Sequence, residues 1–233
     1  MKIAVLGLDD FTAGKKSLID DRVSALEELV KPSKTTFITL ELLDASSAKE
    51  ADAIICEKDA KLDLIISDMV VIENRMSRAV EGEDTNIFKK AQAVLEKNLC
   101  LCEGDFTEEE KKTLFGTNLA SIRPVNFVDK AAGYDGDKIL FDAYYAAGTI
   151  CFITGAKDKE LRAWPIKKGT PALEAAGVIH SDIQRGFIKA EIIDYNDLIK
   201  AGSLHLAKPH MHLEGKEYVM KDCDFVSTFR FNV

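Results

Sequence analysis

The sequence has little cysteine and no long hydrophobic stretch. No apolar run approaches the roughly 20 residues that a membrane-spanning helix needs. The apolar start Met1–Leu6 lacks the basic segment and cleavage site of a secretory signal. The five cysteines are an odd number, scattered apart from one Cys-x-Cys pair, which does not suggest a disulfide framework. We therefore expect a cytoplasmic protein with reduced thiols and no membrane partner.

Convincing metal-binding patterns are also missing. His205, His210 and His212 lie close together in the sequence, but two or three histidines are weak evidence for a metal site. An exposed strand is the favoured interpretation of the His-x-His pair, since alternate residues of a strand share a face. Cys100 and Cys102 lack the second half of a zinc site. The sequence predicts no metal site.

Negative charge is in excess. Asp and Glu number 39, Lys and Arg 31, and the formal net charge is −8. This balance argues against a protein that coats nucleic acid over its whole surface, because phosphate binding depends on clustered basic side chains. Most of the excess acid precedes Gly148, and the part from there onward is near neutral. The C-terminal part is therefore able to approach RNA through a local patch.

The first part of the chain alternates between strand and helix patterns. An apolar run at Lys2–Gly7 predicts a strand, and Leu18–Val30 carries apolar residues at helical spacing. Thr36–Leu43 and Ala53–Cys56 predict further strands. These elements fit a small α/β unit that begins with a strand, a loop and a helix.

Two longer helical patterns follow, Asp63–Val80 and Asn86–Leu99. A charged segment with a glycine separates them, and neither sustains three heptads, so they predict a helical hairpin at about 63–99 rather than a coiled coil. Thr107–Thr113 predicts another helix, with an N-cap, then acids, then lysines. Phe127–Lys138 is polar and rich in Gly and Asp, and is predicted to be a linker.

Short strands dominate beyond that predicted linker. Leu140–Ala147 has a helical pattern, and two short helices are predicted around Pro171–Gly177 and Tyr195–Lys200. The predicted strands are TICFIT, LRAWPI, GFIKAEII, YVM and FVSTFRFNV.

These C-terminal strands resemble the TGS domain of the YchF/Obg-like nucleotidase family. The matching features are an RAW strand (Arg162, Ala163, Trp164), a VIH-x-D turn (His180, Asp182), a GFI-x-AE strand (Gly186, Phe187, Ala190, Glu191) and a terminal FRFNV (Phe229 to Val233). Earlier segments resemble the family's strand, helical hairpin and return strand in the same order. They are DAIIC, LDLIISDMVVIENRMSR, LEKNL, TEEEKK and SIRPVNFV.

The resemblance implies an α/β protein with two domains. Residues 1–146 are expected to form a reduced P-loop G-domain-like α/β unit with the helical hairpin, and residues 147–233 a β-grasp (ubiquitin-like) TGS domain. The family binds ATP or GTP, which implies a nucleotide with Mg²⁺ as ligand, and associates with ribosomes. In the family, the turn with His180 and Asp182 belongs to the TGS scaffold, so we interpret it as structural and predict no catalytic residue.

The segment that would bind phosphate departs from a working P-loop. In G-x-x-x-x-G-K-[ST], backbone N–H groups wrap the phosphates, the Lys reaches the β/γ oxygens and the hydroxyl holds Mg²⁺. Here Gly7 follows a strand and Gly14 precedes Lys15, but six residues separate the glycines in GLDDFTAGKKS. Lys16 stands where the hydroxyl belongs. Ser17 could serve only if the loop bulges.

Two further departures weaken the predicted nucleotide site. Asp9 and Asp10 would put carboxylates where phosphate charge must go. Asp44 ends a strand as the D-x-x-G motif requires, but Ser47 replaces its glycine. We therefore predict a vestigial site without hydrolysis. Its candidate cofactor-binding residues are Gly7, Gly14, Lys15, Ser17 and Asp44.

Several side chains of the C-terminal part could contact RNA. Trp164, Phe152, Phe187 and Phe229 could stack on bases, but aromatic residues on β-grasp strands are more often part of the core. The basic residues predicted as nucleic-acid-binding candidates are Lys167, Lys168, Arg185, Lys189 and Arg230.

The leading hypothesis is a YchF-like TGS-domain protein that does not hydrolyse nucleotide, or binds it weakly, and acts as an interaction module for RNA, the ribosome or a protein partner. An active ATP- or GTP-binding nucleotidase, acting through Gly14, Lys15, Ser17 and Asp44, is the alternative. A third hypothesis is a subunit that uses its acidic N-terminal part and helical hairpin for assembly.

Overall fold

The computed structural model describes residues 1–78 and 85–232. The chain divides into two compact units: unit 1 is Met1–Lys16 with Leu40–Ala147, and unit 2 is Ser17–Thr39 with Gly148–Val233. The expected first domain, residues 1–146, includes residues 17–39, which this division groups with unit 2.

The strands and helices mostly follow the sequence patterns. The strands are β1 Lys2–Leu6, β2 Gly14–Leu18, β3 Lys34–Thr36, β4 Ile38–Leu43, β5 Ala53–Glu57, β6 Val125–Val128, β7 Thr149–Thr154, β8 Glu160–Lys167, β9 Phe187–Ile193, β10 His212–Glu214 and β11 Asp224–Phe231. The helices are α1 Asp21–Val30, α2 Lys61–Ser77, α3 Asn86–Leu95, α4 Glu108–Phe115, α5 Gly136–Ala146, α6 Ala172–Ile179, α7 Ser181–Arg185, α8 Tyr195–Ala201 and α9 Leu204–Ala207.

Unit 1 is built on a five-stranded sheet in the order β2-β4-β1-β5-β6. Strand β1 is parallel to β4 and β5, and β5 is parallel to β6. Strand β5 is buried along its whole length. Continuous apolar runs of this kind are typical of parallel strands that are covered on both faces.

Helices α2 and α3 pack into the core of unit 1. Leu64 and Ile72 of α2 and Phe88 and Leu95 of α3 belong to one buried cluster. The Arg75 guanidinium, near the end of α2, lies 5.4 Å from the centre of the Phe88 ring, near the start of α3. The predicted connection at 79–84 lies outside the described residues.

The predicted linker at Phe127–Lys138 is wrong at both ends. Strand β6 continues to Val128, and α5 begins at Gly136. Asp135 caps α5, because its carboxylate accepts hydrogen bonds from the N–H groups of Asp137 and Lys138. A helix cap and a loop share the same polar residues, which explains the error.

Unit 2 contains a six-stranded mixed sheet in the order β10-β9-β11-β7-β8-β3. Strand β7 is parallel to β11 and antiparallel to β8, while β9 is antiparallel to both β11 and β10. Helix α6 packs on this sheet, with Ala172 and Ala176 buried against Phe152 and Ile192. The small alanine side chains let the helix approach the sheet closely.

Residues 17–39 group with unit 2 through α1 and β3. Strand β3 is parallel to β8 and forms the outer edge of the sheet. The Ser33 N–H donates to the Lys159 carbonyl, and the Asp158 N–H donates to the Lys31 carbonyl. Strand pairing across more than a hundred residues of sequence gives no local signal, so the sequence did not predict this grouping.

Two smaller predictions in unit 2 are wrong. YVM forms no strand, and Val219 makes only an isolated bridge with Pro171. The His-x-His pair is not on one strand, since His210 ends a 3₁₀ turn and His212 begins β10. No helix in the described part of the chain is both long and apolar enough to span a membrane.

Candidate functional site

The carboxyl ends of four parallel strands meet at one edge of the unit 1 sheet. Gly7 follows β1, Asp44 follows β4, Glu57 ends β5 and Asp129 follows β6. Ligands of open α/β sheets bind at this edge. An open cavity of about 570 Å³ lies here. Its lining residues are Gly7, Glu57, Lys58, Asp59, Asp129, Lys130 and Ala131.

Gly7 is required by the backbone at this edge. Its φ is +74°, which favours glycine, and a Cβ at this position would lie 2.8 Å from the Cβ of Glu57 and 3.0 Å from that of Ala60. The neighbouring Glu57 carboxylate has a partner within the protein, because it accepts a hydrogen bond of 2.5 Å from the Asp59 N–H. Because Gly7 has no side chain, the backbone after β1 can approach Glu57 at the end of β5 this closely.

The predicted phosphate-binding residues Gly14, Lys15 and Ser17 lie on β2. In a P-loop, this segment begins a helix whose N–H groups face the phosphates. Here the chain forms a strand, a loop and a second strand, and the next helix, α1, begins at Asp21 in unit 2. The predicted strand-loop-helix is therefore wrong in this segment.

Sheet order also separates Gly7 from Lys15. Strand β4 lies between β1 and β2, so two strand spacings separate the lines of β1 and β2, or about 10 Å. A phosphate cradle needs one continuous loop of N–H groups around the ligand. The described geometry does not fit such a cradle.

The loop between β1 and β2 is held by the segment that follows β6. The Lys130 ammonium donates a hydrogen bond of 2.8 Å to the Asp9 carboxylate, and the Tyr134 hydroxyl donates to Asp10. The rings of Phe11 and Tyr134 stack with their centres 6.4 Å apart. Both aspartates that follow Gly7 therefore have partners within the protein.

These contacts change the acidities of the side chains involved. The hydrogen bond from Lys130 lowers the pKa of Asp9. The hydrogen bond to Asp10 raises the pKa of Tyr134 to about 12, because the phenolate could no longer donate it. The loop therefore keeps its negative charge at neutral pH.

The lysines near this edge are paired with carboxylates. Lys58 lies 3.0 Å from Asp129, and Lys16 lies 3.4 Å from Asp137. The Lys16 ammonium also lies 5.2 Å from the centre of the Phe11 ring. A phosphate group entering here would compete with carboxylates for each of these cations, and would meet acidic side chains on the same rim.

The Asp44 carboxylate is held by a local hydrogen bond. Asp44 precedes a 3₁₀ turn at Ala45–Glu50 and accepts a hydrogen bond of 2.6 Å from the Ser46 hydroxyl. This bond lowers the pKa of Asp44, so the carboxylate is ionised at neutral pH. An ionised carboxylate could hold the water shell of Mg²⁺. The lysine expected in a P-loop, Lys15, however lies on β2, on the far side of β4 from β1.

The five basic candidates of unit 2 do not form one patch. Lys167 ends β8 opposite Thr149 at the start of β7, whereas Arg230 lies near the far end of β11. The parallel register of β7 and β11 puts these positions about 30 Å apart along the strands. Lys168 lies next to Lys167, so the pair sits at one end of the sheet.

Arg185, Lys189 and Arg230 lie together at the other end. Lys189 is directly opposite Arg230 in the β9–β11 pairing, and Arg185 ends α7, two residues before β9 begins. Arg230 is paired with Glu191, and Arg185 with Asp182. Exposed Ile188 and Phe231 flank this group, which we term the β11 end.

The aromatic candidates of unit 2 are part of its core. Phe152, Phe187 and Phe229 are at most 8% exposed, and the Phe229 ring contacts each of the other two. Trp164 is half-buried, stacks with Phe152 and donates from its indole N–H to the Thr154 hydroxyl. This confirms the core interpretation over base stacking.

Lys130 and Tyr134, which hold the β1–β2 loop, are not among the residues predicted from the sequence. Both lie in the predicted linker. The available signal is the strand pattern Val125–Val128 followed by Asp129, since a polar residue just after a parallel strand lies at the sheet edge.

The comparisons with known proteins agree on one family. The family model YchF-GTPase_C, described as "Protein of unknown function (DUF933)", matches residues 149–232. The ribosome-binding ATPase YchF of Bacillus subtilis is 27% identical, with 96% of this chain and 90% of that protein covered. That match extends over 331 residues, more than the 233 of this chain, so it bridges segments that this chain lacks.

Other relatives match shorter parts or the fold. The ribosome-binding ATPase YchF of Mycoplasma genitalium is 45% identical over 103 residues, which are 43% of this chain and 28% of that protein. The structure of the YchF GTPase of Schizosaccharomyces pombe has a TM-score of 0.76 and 19% identity, and covers 93% of this chain and 86% of that one. The chain is therefore similar to proteins of the YchF/Obg-like family, in sequence over residues 149–232 and in fold over most of its length.

Proposed function

We propose that this chain is a ribosome-binding member of its family that acts as an interaction module and does not hydrolyse nucleotide. The observation that carries the proposal is the placement of Gly14, Lys15 and Ser17 on an edge strand, two strands from Gly7. Unit 2, in contrast, has a complete sheet and core. In this proposal the cell compartment is the cytoplasm, where ribosomes are.

Unit 2 is proposed to be a TGS-type β-grasp domain. Its support is the strand order, with the first and last strands of the C-terminal part, β7 and β11, parallel at the centre of the sheet. An antiparallel hairpin of β7 and β8 precedes α6, and β9 and β10 complete the other side. The match of the family model to residues 149–232 lies within this same region.

The ribosome is the proposed partner because the relatives from Bacillus subtilis and Mycoplasma genitalium carry the name ribosome-binding ATPase. We propose RNA contact at the β11 end. Lys189 supplies a positive charge beside the Arg230–Glu191 pair, and exposed Phe231 offers a flat apolar face. Phosphate contacts and aromatic stacking are the usual contributions to RNA binding.

Absence of hydrolysis is supported by charge as well as position. Phosphoryl transfer needs a lysine and Mg²⁺ around the β- and γ-phosphates. The rim of the unit 1 sheet offers Lys58 and Lys130, both paired with aspartates. In addition, Asp9 and Asp10 stand on the loop where phosphate would bind.

Co-sedimentation with purified ribosomes tests this proposal, with bacterial and eukaryotic ribosomes assayed separately. We expect saturable binding that weakens with salt and does not change when ATP or GTP is added. The double variant Lys189→Glu, Arg230→Glu should reduce binding at least tenfold. The matched control Lys167→Glu, Lys168→Glu makes the same charge change at the opposite end of the sheet and should have little effect.

Two results would overturn this assignment. Equal loss in both double variants would mean that net charge, not the β11 end, controls binding. No binding by the wild-type chain would remove the ribosome as partner. A third double variant, Lys157→Glu, Lys159→Glu, in the β7–β8 connection, checks for general loss of folding.

An active nucleotidase remains the second candidate. It is favoured by the retained Gly14-Lys15 pair and by the ionised Asp44. It requires β2 to leave the sheet so that Lys15 can reach a phosphate near Gly7. Mg²⁺-dependent release of phosphate from ATP or GTP, abolished by Lys15→Ala and retained by Lys31→Ala, would establish it.

A further inference from the structure

A buried pair of thiols lies in unit 2. Cys151 is on β7, and Cys223 immediately precedes β11. Their Sγ atoms are 3.7 Å apart, and each residue is about 1% exposed. The Cys223 N–H donates a hydrogen bond of 2.8 Å to the Cys151 carbonyl, so the two residues are direct neighbours across the strands.

We propose that Cys151 and Cys223 are a site of reversible oxidation that joins β7 to β11 through a disulfide. Bonded cysteines usually have Cα atoms about 4.4–6.8 Å apart, and neighbouring strands lie at about 4.8 Å. The hydrogen bond between Cys223 and Cys151 lies directly before the parallel pairing, which begins at Phe152 and Asp224. A small rotation of the side chains therefore brings the sulfur atoms within bonding distance.

The surroundings favour a disulfide over a metal centre. Within the described ranges, Asp20, Cys151 and Cys223 form a group whose ligand atoms lie within 4.8 Å of one another. Arg22 already binds both oxygens of Asp20, at 3.0 and 2.7 Å. It also pairs with Asp222, whose carboxylate accepts from the Cys151 N–H. A guanidinium beside the thiols repels a divalent cation.

The oxidation balances with hydrogen peroxide as the oxidant. The thiolate of one cysteine attacks a peroxide oxygen, the O–O bond breaks, and a sulfenic acid and hydroxide form. The thiolate of the other cysteine attacks the sulfenic sulfur, the S–S bond forms and hydroxide leaves. The two thiol protons and two hydroxides become two waters. Two electrons pass from the thiols to peroxide, and an external thiol reverses the change.

The disulfide would join β7 to the start of β11, the two central strands of the unit 2 sheet. It would close a loop that includes α6, α7, β9 and β10 and restrict the unfolded chain. The contact with Cys151 and burial raise the pKa of Cys223, so the reaction requires local opening and is slower than oxidation of an exposed thiol. Oxidised unit 2 should be the more stable form.

Differential alkylation of the whole chain tests the proposal. The protein is treated with hydrogen peroxide, free thiols are blocked under denaturing conditions, and the sample is reduced and labelled with a second reagent before mass spectrometry. We expect Cys151 and Cys223 to carry the second label together, and a peptide that joins them to appear without reduction. Thermal unfolding, followed by Trp164 fluorescence, should shift upward by about 5 °C or more on oxidation and return on reduction.

Variants separate this disulfide from other thiol chemistry. Cys223→Ser should abolish the shift in unfolding temperature, whereas Cys102→Ser, which removes the exposed thiol, should retain it. The proposal is overturned if Cys151 and Cys223 remain free at peroxide concentrations that oxidise Cys102. It is also overturned if the purified protein holds one equivalent of zinc until its thiols are alkylated.

Discussion

The two units of this chain both have a sheet and a packed core, but they differ at the edge of the sheet where a ligand would bind. Unit 2 has a central parallel strand pair, a helix packed on the sheet and an aromatic core around Phe152. Unit 1 keeps a parallel sheet and a well-packed core. The rim of that sheet, however, is held together by the protein's own ion pairs, such as Asp9 with Lys130.

Under our proposal, this difference means that a sheet and its ligand site can change independently. Core residues of unit 1 are constrained by packing, which any compact α/β unit needs. A phosphate cradle needs one loop of particular length that leads into a helix, and nothing in the packing of the core preserves that loop. In our proposal, β2 stands in place of that loop, which leaves the sheet intact and removes the geometry on which phosphate binding depends.

Truncation in the core of unit 2 should have the largest effect. Phe152 is fully buried and contacts Trp164 and Phe229. Phe152→Ala should lower the free energy of unfolding by about 3–5 kcal/mol, because it leaves a cavity. Trp164 is the only tryptophan of the chain, so its fluorescence in a urea titration follows unit 2.

The matched control is Phe231→Ala, at an exposed aromatic position in the same unit. This change should alter the free energy of unfolding by no more than about 0.5 kcal/mol. Similar losses in the two variants would mean that Phe152 does not organise the core of unit 2.

A buried carboxylate in unit 1 should give the next largest effect. Asp68 on α2 is 1% exposed and accepts hydrogen bonds of 2.8 and 2.7 Å from the N–H groups of Ala120 and Ser121. Asp68→Asn replaces one acceptor oxygen with a donor that faces an N–H group. Stability measured by circular dichroism in urea should fall by about 1–3 kcal/mol.

The control on the same helix is Glu73→Gln, an exposed position that should be nearly neutral. A pH series adds a second check. Burial raises the pKa of Asp68 above its unfolded value, so its ionisation costs stability as pH rises through the folded pKa. That part of the pH dependence should be absent in the asparagine variant, and its persistence would contradict the assignment.

The smallest expected effect is a change in the pKa of Tyr134, which tests its hydrogen bond to Asp10 at the rim of the unit 1 sheet. Tyr134, whose pKa is raised to about 12, should ionise well above an ordinary tyrosine, whose pKa is about 10. The contribution of its hydrogen bond to Asp10 is complete below the unfolded pKa and is lost as pH rises through the folded one. Asp10→Asn should move the Tyr134 pKa down toward 10, as measured by NMR of labelled tyrosine rings.

Tyr134→Phe identifies the signal by its disappearance, and Asp142→Asn, on α5, serves as the charge-matched control. A Tyr134 pKa that does not respond to Asp10→Asn would mean that the β1–β2 loop is not held by this contact. In that case the loop would be more accessible to a ligand than we infer.

Most of the regular elements could be predicted because their patterns are local. The apolar runs of β1, β5 and β7 and the spacing of α2 and α3 are visible in the sequence. Strand β2 was missed since its residues GKKSL are mostly polar and exposed, as edge strands often are. The motif Gly14-Lys15 also suggested a loop before a helix.

The contacts of the candidate site could not be predicted from the sequence. Asp9 and Asp10 were recognised as unfavourable for phosphate, but their partners Lys130 and Tyr134 are more than a hundred residues away. Likewise, five basic residues of unit 2 were candidates for one surface, and the register of β7 and β11 divides them between two ends. Such pairings depend on how the strands are ordered in the sheet.

Equilibrium binding of ATP and GTP, each with Mg²⁺, to the whole chain and to Lys15→Ala tests the central claim most directly. Isothermal titration or fluorescent analogues would serve. We predict no saturable binding up to about millimolar nucleotide, where the binding free energy is only about 4 kcal/mol, and no difference between the two proteins. Saturable micromolar binding that is lost in Lys15→Ala would contradict the account and show that β2 can form a phosphate-binding loop.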